Sequence, residues 1–135
     1  MKRQPKGPKA DVKTLTDAEW AIIEVVWRHE PCAAGTVQEA LAESHGWAYS
    51  TVKTTMDRMV VKGLLASESI RNLQLFTSRI SRSQAKRGEF QRLLRRAFGG
   101  SLTPMLQFLV DEQDLSEKEV RELRAMLDSA KKRKP

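Results

Sequence analysis

The stretch YSTVKTTMDRMVVKGLL, residues 49–65, places hydroxyl and cationic side chains at the spacing of one helix face. Its apolar residues recur every three to four positions, which predicts an amphipathic helix with one buried side. Hydroxyls and cations are the groups that bind phosphates and base edges. The alternative interpretation is that this polar side is simply exposed to solvent, although a solvent-exposed helix surface more often pairs Glu with Lys one turn apart. The polar side carries Ser50, Lys53, Thr54, Asp57 and Arg58.

Charged residues are unevenly distributed along the chain, and this distribution helps to decide between nucleic-acid contact and a solvated surface. The formal net charge is +7, but residues 1–10 and 131–135 carry four cations each and no acid. Between these ends, residues 11–48 have a net charge of −5, residues 49–96 of +8 and residues 97–130 of −4. The basic block therefore begins where the predicted helix begins, which favours contact with nucleic acid over a uniformly solvated surface.

Helix start signals predict the elements that position this helix. Thr16 and Glu19 have the T-x-x-E spacing of a capping box, so a first helix is predicted over Asp17–His29. A second, shorter helix is predicted over about residues 34–44. The helix within residues 49–65 is then the third.

The periodicity changes after this third helix from helical to alternating. Two short strands are predicted, LASESI at 65–70 and LQLFTS at 73–78, joined in a hairpin at Arg71 and Asn72. Three helices followed by a small hairpin is the order of a winged helix-turn-helix, so we expect a mainly α fold with one β-hairpin. In that fold the third helix enters the major groove and the hairpin contacts the flanking backbone.

The second half of the chain is predicted to be helical. An arginine-rich helix is expected over 81–98, a short one from near Pro104, and a last one after the capping box of Ser116 and Glu119. The apolar stripe on each of these helices is narrow, so the three helices cannot bury all their apolar side chains by packing only against one another. Pairing with a second copy of the chain would cover them; folding back on the first domain is the alternative. The candidate dimerisation residues are Phe90, Leu94, Phe98, Leu106, Leu109, Leu123 and Leu127.

The composition of the chain indicates its cellular compartment and its division into segments. Cys32 is the single cysteine and excludes an internal disulfide framework, as expected in a reducing compartment. No apolar run could span a bilayer, and MKRQPKGPKA lacks the apolar stretch of a signal peptide, so we expect a cytoplasmic protein. The predicted segments are a basic disordered arm at 1–13, a winged-helix DNA-binding domain at 14–79, a helical dimerisation region at 80–130 and a basic, disordered tail at 131–135.

Catalytic and metal-binding interpretations find little support in the sequence. It contains no phosphate-binding glycine loop, G-x-S-x-G or H-E-x-x-H, so we expect neither an enzyme nor a cofactor. His29, Cys32 and His45 are too scattered to indicate a closed metal site. Trp20 and Trp27 lie on the apolar stripe of the first helix and are expected to pack in the core.

Three stretches of the sequence, in their order and spacing, resemble the BlaI/MecI/CopY family of bacterial penicillinase-type repressors. They are LTDAEWAIIEVVW, YSTVKTTMDRMVVKGLL and FGGSLTPMLQFL. The resemblance implies a dimer of winged-helix domains that sits on a dyad-symmetric DNA operator, associated with the nucleoid, and blocks transcription. It places the DNA contacts at Ser50, Thr51, Lys53, Thr54 and Arg58 in the third helix and at Arg71 in the wing.

The sequence departs from this family at two places. Antibiotic-responsive members carry an Asn-Phe bond that a membrane sensor protease cuts, and the corresponding residues here are Gln107 and Phe108. The change from Asn argues against such a protease as a partner. The copper-responsive branch has a cysteine-rich tail, whereas SAKKRKP contains no cysteine, which excludes copper sensing by that route.

Two other functions remain open on the sequence alone. A non-specific architectural DNA binder would bind operator and scrambled sequence equally, with a salt dependence that accounts for all the binding energy. A protein-interaction adaptor would use the basic block to bind an acidic partner. The role of Lys53 is also open, because a contact with phosphate alone would make Lys53→Ala weaken all DNA alike.

Overall fold

The computed structural model describes residues 14–133. The predicted arm at residues 1–13 and the last two residues of the predicted tail lie outside this range. The described residues form two compact units that divide between Arg92 and Leu93. The functional boundary expected between residues 79 and 80 stays a prediction. The elements are α1 (Asp17–His29), α2 (Ala34–His45), α3 (Tyr49–Val61), β1 (Leu65–Ile70), β2 (Leu73–Ser78), α4 (Arg82–Phe98), α5 (Leu102–Glu112) and α6 (Glu117–Arg133).

The capping box predicted before α1 is formed. The Glu19 backbone N–H donates to the Thr16 hydroxyl over 3.2 Å, and the Thr16 backbone N–H donates to the Glu19 carboxylate over 2.9 Å. Two of the donors that a helix start leaves unpaired are thereby satisfied. The helix follows with the predicted bounds and buries Ile22, Ile23, Val25 and Val26.

The first unit is a winged helix-turn-helix, as predicted. The three helices α1, α2 and α3 pack around a core that includes Val52, Met56, Met59 and Phe76, all fully buried. The antiparallel strands β1 and β2 form the wing, in the register that runs from Leu65 opposite Ser78 to Ile70 opposite Leu73. The core thus fixes α3 and the wing on one rigid frame.

One strand-like contact of the wing was not predicted. Cys32, in the segment between α1 and α2, pairs with Phe76 of β2 as an isolated antiparallel bridge. The Phe76 N–H donates to the Cys32 carbonyl over 2.7 Å, and the Cys32 N–H donates back over 3.1 Å. This bridge attaches the wing to the segment that follows α1.

Three helix ends differ from the sequence-based expectations. Helix α3 ends at Val61 because Gly63 takes a left-handed φ of 84° and turns the chain into β1. Helix α5 begins at Leu102 rather than near Pro104, since a proline in the first turn removes an N–H that has no helical partner. Helix α6 continues to Arg133, so the expectation of a disordered tail is wrong for residues 131–133, since a cation such as Lys131 near a helix C-terminus is favourable.

The second unit, which contains the end of α4 with α5 and α6, has little interior of its own. The capping box predicted at Ser116 and Glu119 is formed, with the Glu119 N–H donating to the Ser116 hydroxyl over 3.1 Å. Helix α5 has no buried residue. Large apolar side chains in α5 and α6 are exposed instead, among them Phe108, Val110, Met126 and Leu127. Within residues 14–133, no helix has the length and apolar character needed to cross a membrane.

Candidate nucleic-acid interface

Helix α3 has one buried side and one exposed polar side. Val52, Met56 and Met59 are each 0% exposed and hold the helix against the core of the first unit. The amphipathic pattern predicted from the sequence is therefore correct. The opposite side faces out of the unit: Ser50, Thr51, Thr54, Asp57 and Arg58 are exposed and Lys53 is half-buried. We call this group of six residues the α3 polar face.

An ion pair within the α3 polar face was not anticipated. The Lys53 ammonium donates to the Asp57 carboxylate over 2.8 Å, one helical turn along the chain. Acid–base pairs one turn apart are typical of a solvated helix surface. The four-residue spacing of Lys53 and Asp57 was the available signal. Arg58, by contrast, makes no ion pair with any residue that the structure describes.

Hydroxyl groups on the α3 polar face remain available to a ligand. The Thr55 hydroxyl, beside this face, donates to the Thr51 carbonyl over 2.8 Å, a common arrangement within helices. The hydroxyls of Ser50, Thr51 and Thr54 make no hydrogen bond with the described part of the chain. These three groups can therefore donate to phosphate oxygens or to base edges without losing an internal bond.

Polar contacts to α1 and α2 fix the two ends of α3. Before the helix begins, the Gln38 side-chain amide of α2 donates to the Trp47 carbonyl over 3.2 Å. Just after it ends, the Lys62 ammonium pairs with the Glu19 carboxylate, which is buried at the start of α1. A buried carboxylate with a charged partner is expensive to break, so this pair holds the C-terminal end of α3 against α1.

The wing presents an arginine at its turn. Arg71 and Asn72 have φ values of 53° and 67°, both in the left-handed region. Positive φ at both central residues is the mark of a type I′ turn, whose twist matches that of the two strands. Arg71 is exposed at this turn. At the other end of the wing, the Glu30 carboxylate accepts from the Ser78 N–H over 2.7 Å.

The tryptophans of α1 pack against the core, as expected. Trp20 and Trp27 meet edge to face with ring centroids 6.1 Å apart, and both pack against the core. The Trp27 indole N–H donates to the Ile80 carbonyl over 3.0 Å. The Arg82 guanidinium lies 4.6 Å from the Trp27 ring and pairs with Glu24 over 2.9 Å. Arg82 therefore has a structural role at the start of α4.

Trp47, which precedes α3, also packs against the core. Its ring lies 4.5 Å from that of His45 and is half-buried. The ring is therefore anchored within the first unit, at the turn that leads into α3.

Cys32 is a buried thiol rather than a reactive one. Burial raises the pKa of Cys32, and the neighbouring Glu30 carboxylate raises it further. A thiol held in its neutral form is a poor nucleophile and a poor metal ligand. Among residues 14–133, no three His, Cys, Asp or Glu side chains are grouped closely enough to hold a metal ion.

The candidate dimerisation residues are mostly half-buried or exposed. Leu106 and Leu109 of α5 are each 38% exposed, whereas Leu123 and Leu127 of α6 are 37% and 60% exposed. These four leucines line one apolar groove between α5 and α6. Phe90 is 43% exposed, and Leu94 and Phe98 are half-buried.

The residues that correspond to the family's cleavage position lie inside α5. The Gln107 side-chain amide donates to Asp111 over 3.0 Å, which is one turn along the helix. Phe108 is exposed, and its ring lies 5.8 Å from that of Phe98. Both residues are therefore part of regular helix rather than of an extended loop.

Comparison with known proteins identifies the family. Residues 15–129 match the family model described as penicillinase repressor. The penicillinase repressor of Bacillus licheniformis is 26% identical over 123 residues, which cover 91% of this chain and 96% of that protein. The methicillin resistance regulatory protein MecI of Staphylococcus aureus strain N315 is 22% identical over 114 residues, or 84% of this chain and 93% of the relative.

A solved structure is also similar to this chain. The solution structure of the DNA-binding domain of the repressor BlaI is 26% identical, with a TM-score of 0.47, and the match covers 52% of this chain and 85% of that one. The assignment rests on the family model, which spans nearly the whole of the chain. The chain therefore belongs to the penicillinase repressor family, the BlaI/MecI/CopY group of DNA-binding transcriptional repressors, and not to a family of enzymes.

Proposed function

We propose that this protein is a homodimeric repressor that binds a dyad-symmetric operator through the α3 polar face. In each protomer α3 lies in the major groove, with Arg71 of the wing on the flanking backbone. The observation that carries the proposal is the division of α3 into a fully buried apolar side and an exposed side of hydroxyls and cations. A helix held rigidly by its core side can present donors to base edges in a fixed geometry.

The distribution of charge supports DNA as the partner. Residues 49–96 carry eleven cations and three acids, and they include α3, the wing and most of α4. Two of the three acids are engaged by neighbouring cations, Asp57 by Lys53 and Glu89 by Arg92. The net positive charge of this segment attracts the phosphate backbone and raises the rate of association.

The exposed apolar surface of the second unit supports a homodimer. Phe108, Val110, Met126 and Leu127 are each more than half exposed, although they lie in regular helices. A two-fold axis would bring the same apolar helices of two chains together and remove these side chains from water. The dimer would also place two α3 helices about one turn of DNA apart, as a symmetric operator requires.

Fluorescence anisotropy on duplex DNA tests the DNA contact. An operator is first selected from a random duplex library, and binding is then measured to this duplex and to a scrambled version across a salt series. We expect the operator to bind at least about a thousandfold more tightly at physiological salt. Arg58→Ala should weaken binding, because it removes a cation from the α3 polar face. Arg28→Ala, an exposed arginine at the end of α1, is the matched control and should bind like the unmodified protein.

The outcomes separate the proposed function from its alternatives. Equal affinity for the two duplexes would overturn sequence-specific repression in favour of an architectural role. Failure to bind either duplex would favour the protein-interaction adaptor. A loss of affinity in Arg28→Ala as large as that in Arg58→Ala would show that overall charge, rather than the α3 polar face, carries the binding.

A further inference from the structure

We propose that Asp57 determines the specificity of the α3 polar face by restraining Lys53 for base contact. The inference rests on the proposed function and deepens it, because it assigns the two cations of this face to different parts of the DNA. Lys53, held by Asp57, contacts a base acceptor in the major groove. Arg58, which makes no ion pair with the described residues, contacts phosphate.

The charge around Asp57 indicates a role for this residue other than phosphate binding. Asp57 is the one acid within α3, and it lies on the same exposed face as the hydroxyls and Arg58. An acid at a DNA surface repels the backbone, so a helix that served only to bind phosphate would gain affinity by losing it. With a separation of 2.8 Å, the Asp57 charge offsets much of the attraction of Lys53 for a phosphate several ångströms away.

The Lys53 ammonium keeps hydrogen-bonding capacity after it pairs with Asp57. The Lys53 ammonium has three N–H donors, and the bond to Asp57 uses one of them. Two donors remain for a neutral acceptor, and the O6 and N7 atoms of guanine form such an acceptor pair in the major groove. The paired ammonium therefore has a weaker net attraction for an anion but keeps its capacity to bind a base edge.

Asp57 also restricts the orientation of the Lys53 side chain. Lys53 is half-buried, with 31% of its side chain exposed, whereas 49% of the Asp57 side chain is exposed. A free lysine has a long flexible stem and can reach whichever phosphate is nearest. The carboxylate one turn along α3 limits this freedom and keeps the ammonium over the helix surface. Asp57 thus acts as a positioning residue for Lys53.

The test compares operator and scrambled duplexes in the anisotropy assay with Asp57→Asn. The freed ammonium gains phosphate contacts, so affinity for scrambled DNA should rise about fivefold per protomer at physiological salt, and the slope of log affinity against log salt should steepen by about 0.9 per protomer. Affinity for the operator should rise less or fall. Because the two protomers together raise the affinity for scrambled DNA about 25-fold, the ratio between the two should drop by about tenfold or more. Asp57→Glu retains an acid one turn from Lys53 and should restore the ratio.

Two further variants test whether Asp57 acts through Lys53 rather than through its charge alone. Asp128→Asn makes the same change of charge on an exposed residue of α6 and should leave the ratio unchanged. In a Lys53→Ala background, Asp57→Asn should no longer lower the ratio, because no ammonium remains to be released. A full effect in that background would overturn the role of Asp57 as a positioning residue.

The two levels of the proposal fail in different ways. If the unmodified protein does not distinguish operator from scrambled DNA, both the proposed function and the role of Asp57 are wrong. If the unmodified protein does distinguish them and Asp57→Asn keeps the same ratio, only the role of Asp57 is wrong. Circular dichroism on each variant provides the check on folding, and Asp57→Ala, which also removes the carboxylate that pairs with Lys53, replaces Asp57→Asn if that variant is unstable.

Discussion

Replacing Leu127 with alanine is expected to weaken the proposed dimer without unfolding the protomer. Leu127 lies on α6 and is 60% exposed in the single chain. Complete burial of a leucine side chain contributes about 1.5–3 kcal/mol, so covering the exposed part contributes about 1–2 kcal/mol per protomer. Two-fold symmetry counts this contribution twice, giving about 2–4 kcal/mol per dimer. Alanine keeps the Cβ atom, so the lower half of this range applies.

The corresponding change in the dimer dissociation constant is about 30-fold or more, since each 1.4 kcal/mol is a factor of ten. Sedimentation equilibrium at several protein concentrations measures this constant directly. Helix α6 should persist in the variant, because alanine has the highest helix propensity. Val61→Ala is the control, since Val61 is 88% exposed but belongs to the first unit. An unchanged dissociation constant in Leu127→Ala, or a monomeric unmodified protein at tens of micromolar concentration, would refute the reasoning.

Three further predictions concern the first unit. Met56→Ala should lower the free energy of unfolding by about 2–5 kcal/mol in urea titrations, because Met56 is fully buried beneath the α3 polar face; a change below about 1 kcal/mol would contradict this. Trp27→Phe should cost about 1 kcal/mol, since it leaves the Ile80 carbonyl without its donor, and equal unfolding midpoints would count against that bond. Folding raises the pKa of Cys32 and therefore favours its neutral thiol. The resulting contribution to the free energy of unfolding is complete below the ordinary thiol pKa and is lost as the pH rises through the raised pKa of the folded protein. In urea titrations, the free energy of unfolding should therefore fall more at alkaline pH for the unmodified protein than for Cys32→Ala. Parallel pH profiles of the two proteins would contradict this prediction.

Local sequence signals predicted most of the first unit. The capping box of Thr16 and Glu19 located α1, and the alternating apolar pattern located both strands at the bounds that the structure has. These features depend on residues close together in the chain, where periodicity and side-chain chemistry act directly. The expectation that the chain is not an enzyme is confirmed by its membership of a repressor family.

Contacts between distant residues could not be predicted in this way. The Trp27 indole bonds a carbonyl 53 positions away, and the pair of Glu19 with Lys62 spans 43 positions. No local pattern specifies such contacts, because they follow from the packing of complete elements. The pair of Lys53 with Asp57 is a different case: it is local, and its spacing was visible in the sequence.

The claim that two α3 helices read a symmetric operator is tested most directly by footprinting the selected duplex. The account predicts two protected major-groove segments about one helical turn apart, related by a two-fold axis, with two chains bound per duplex. Arg58→Ala should weaken both segments equally. A single protected segment, or protection spread evenly along the duplex, would contradict the account.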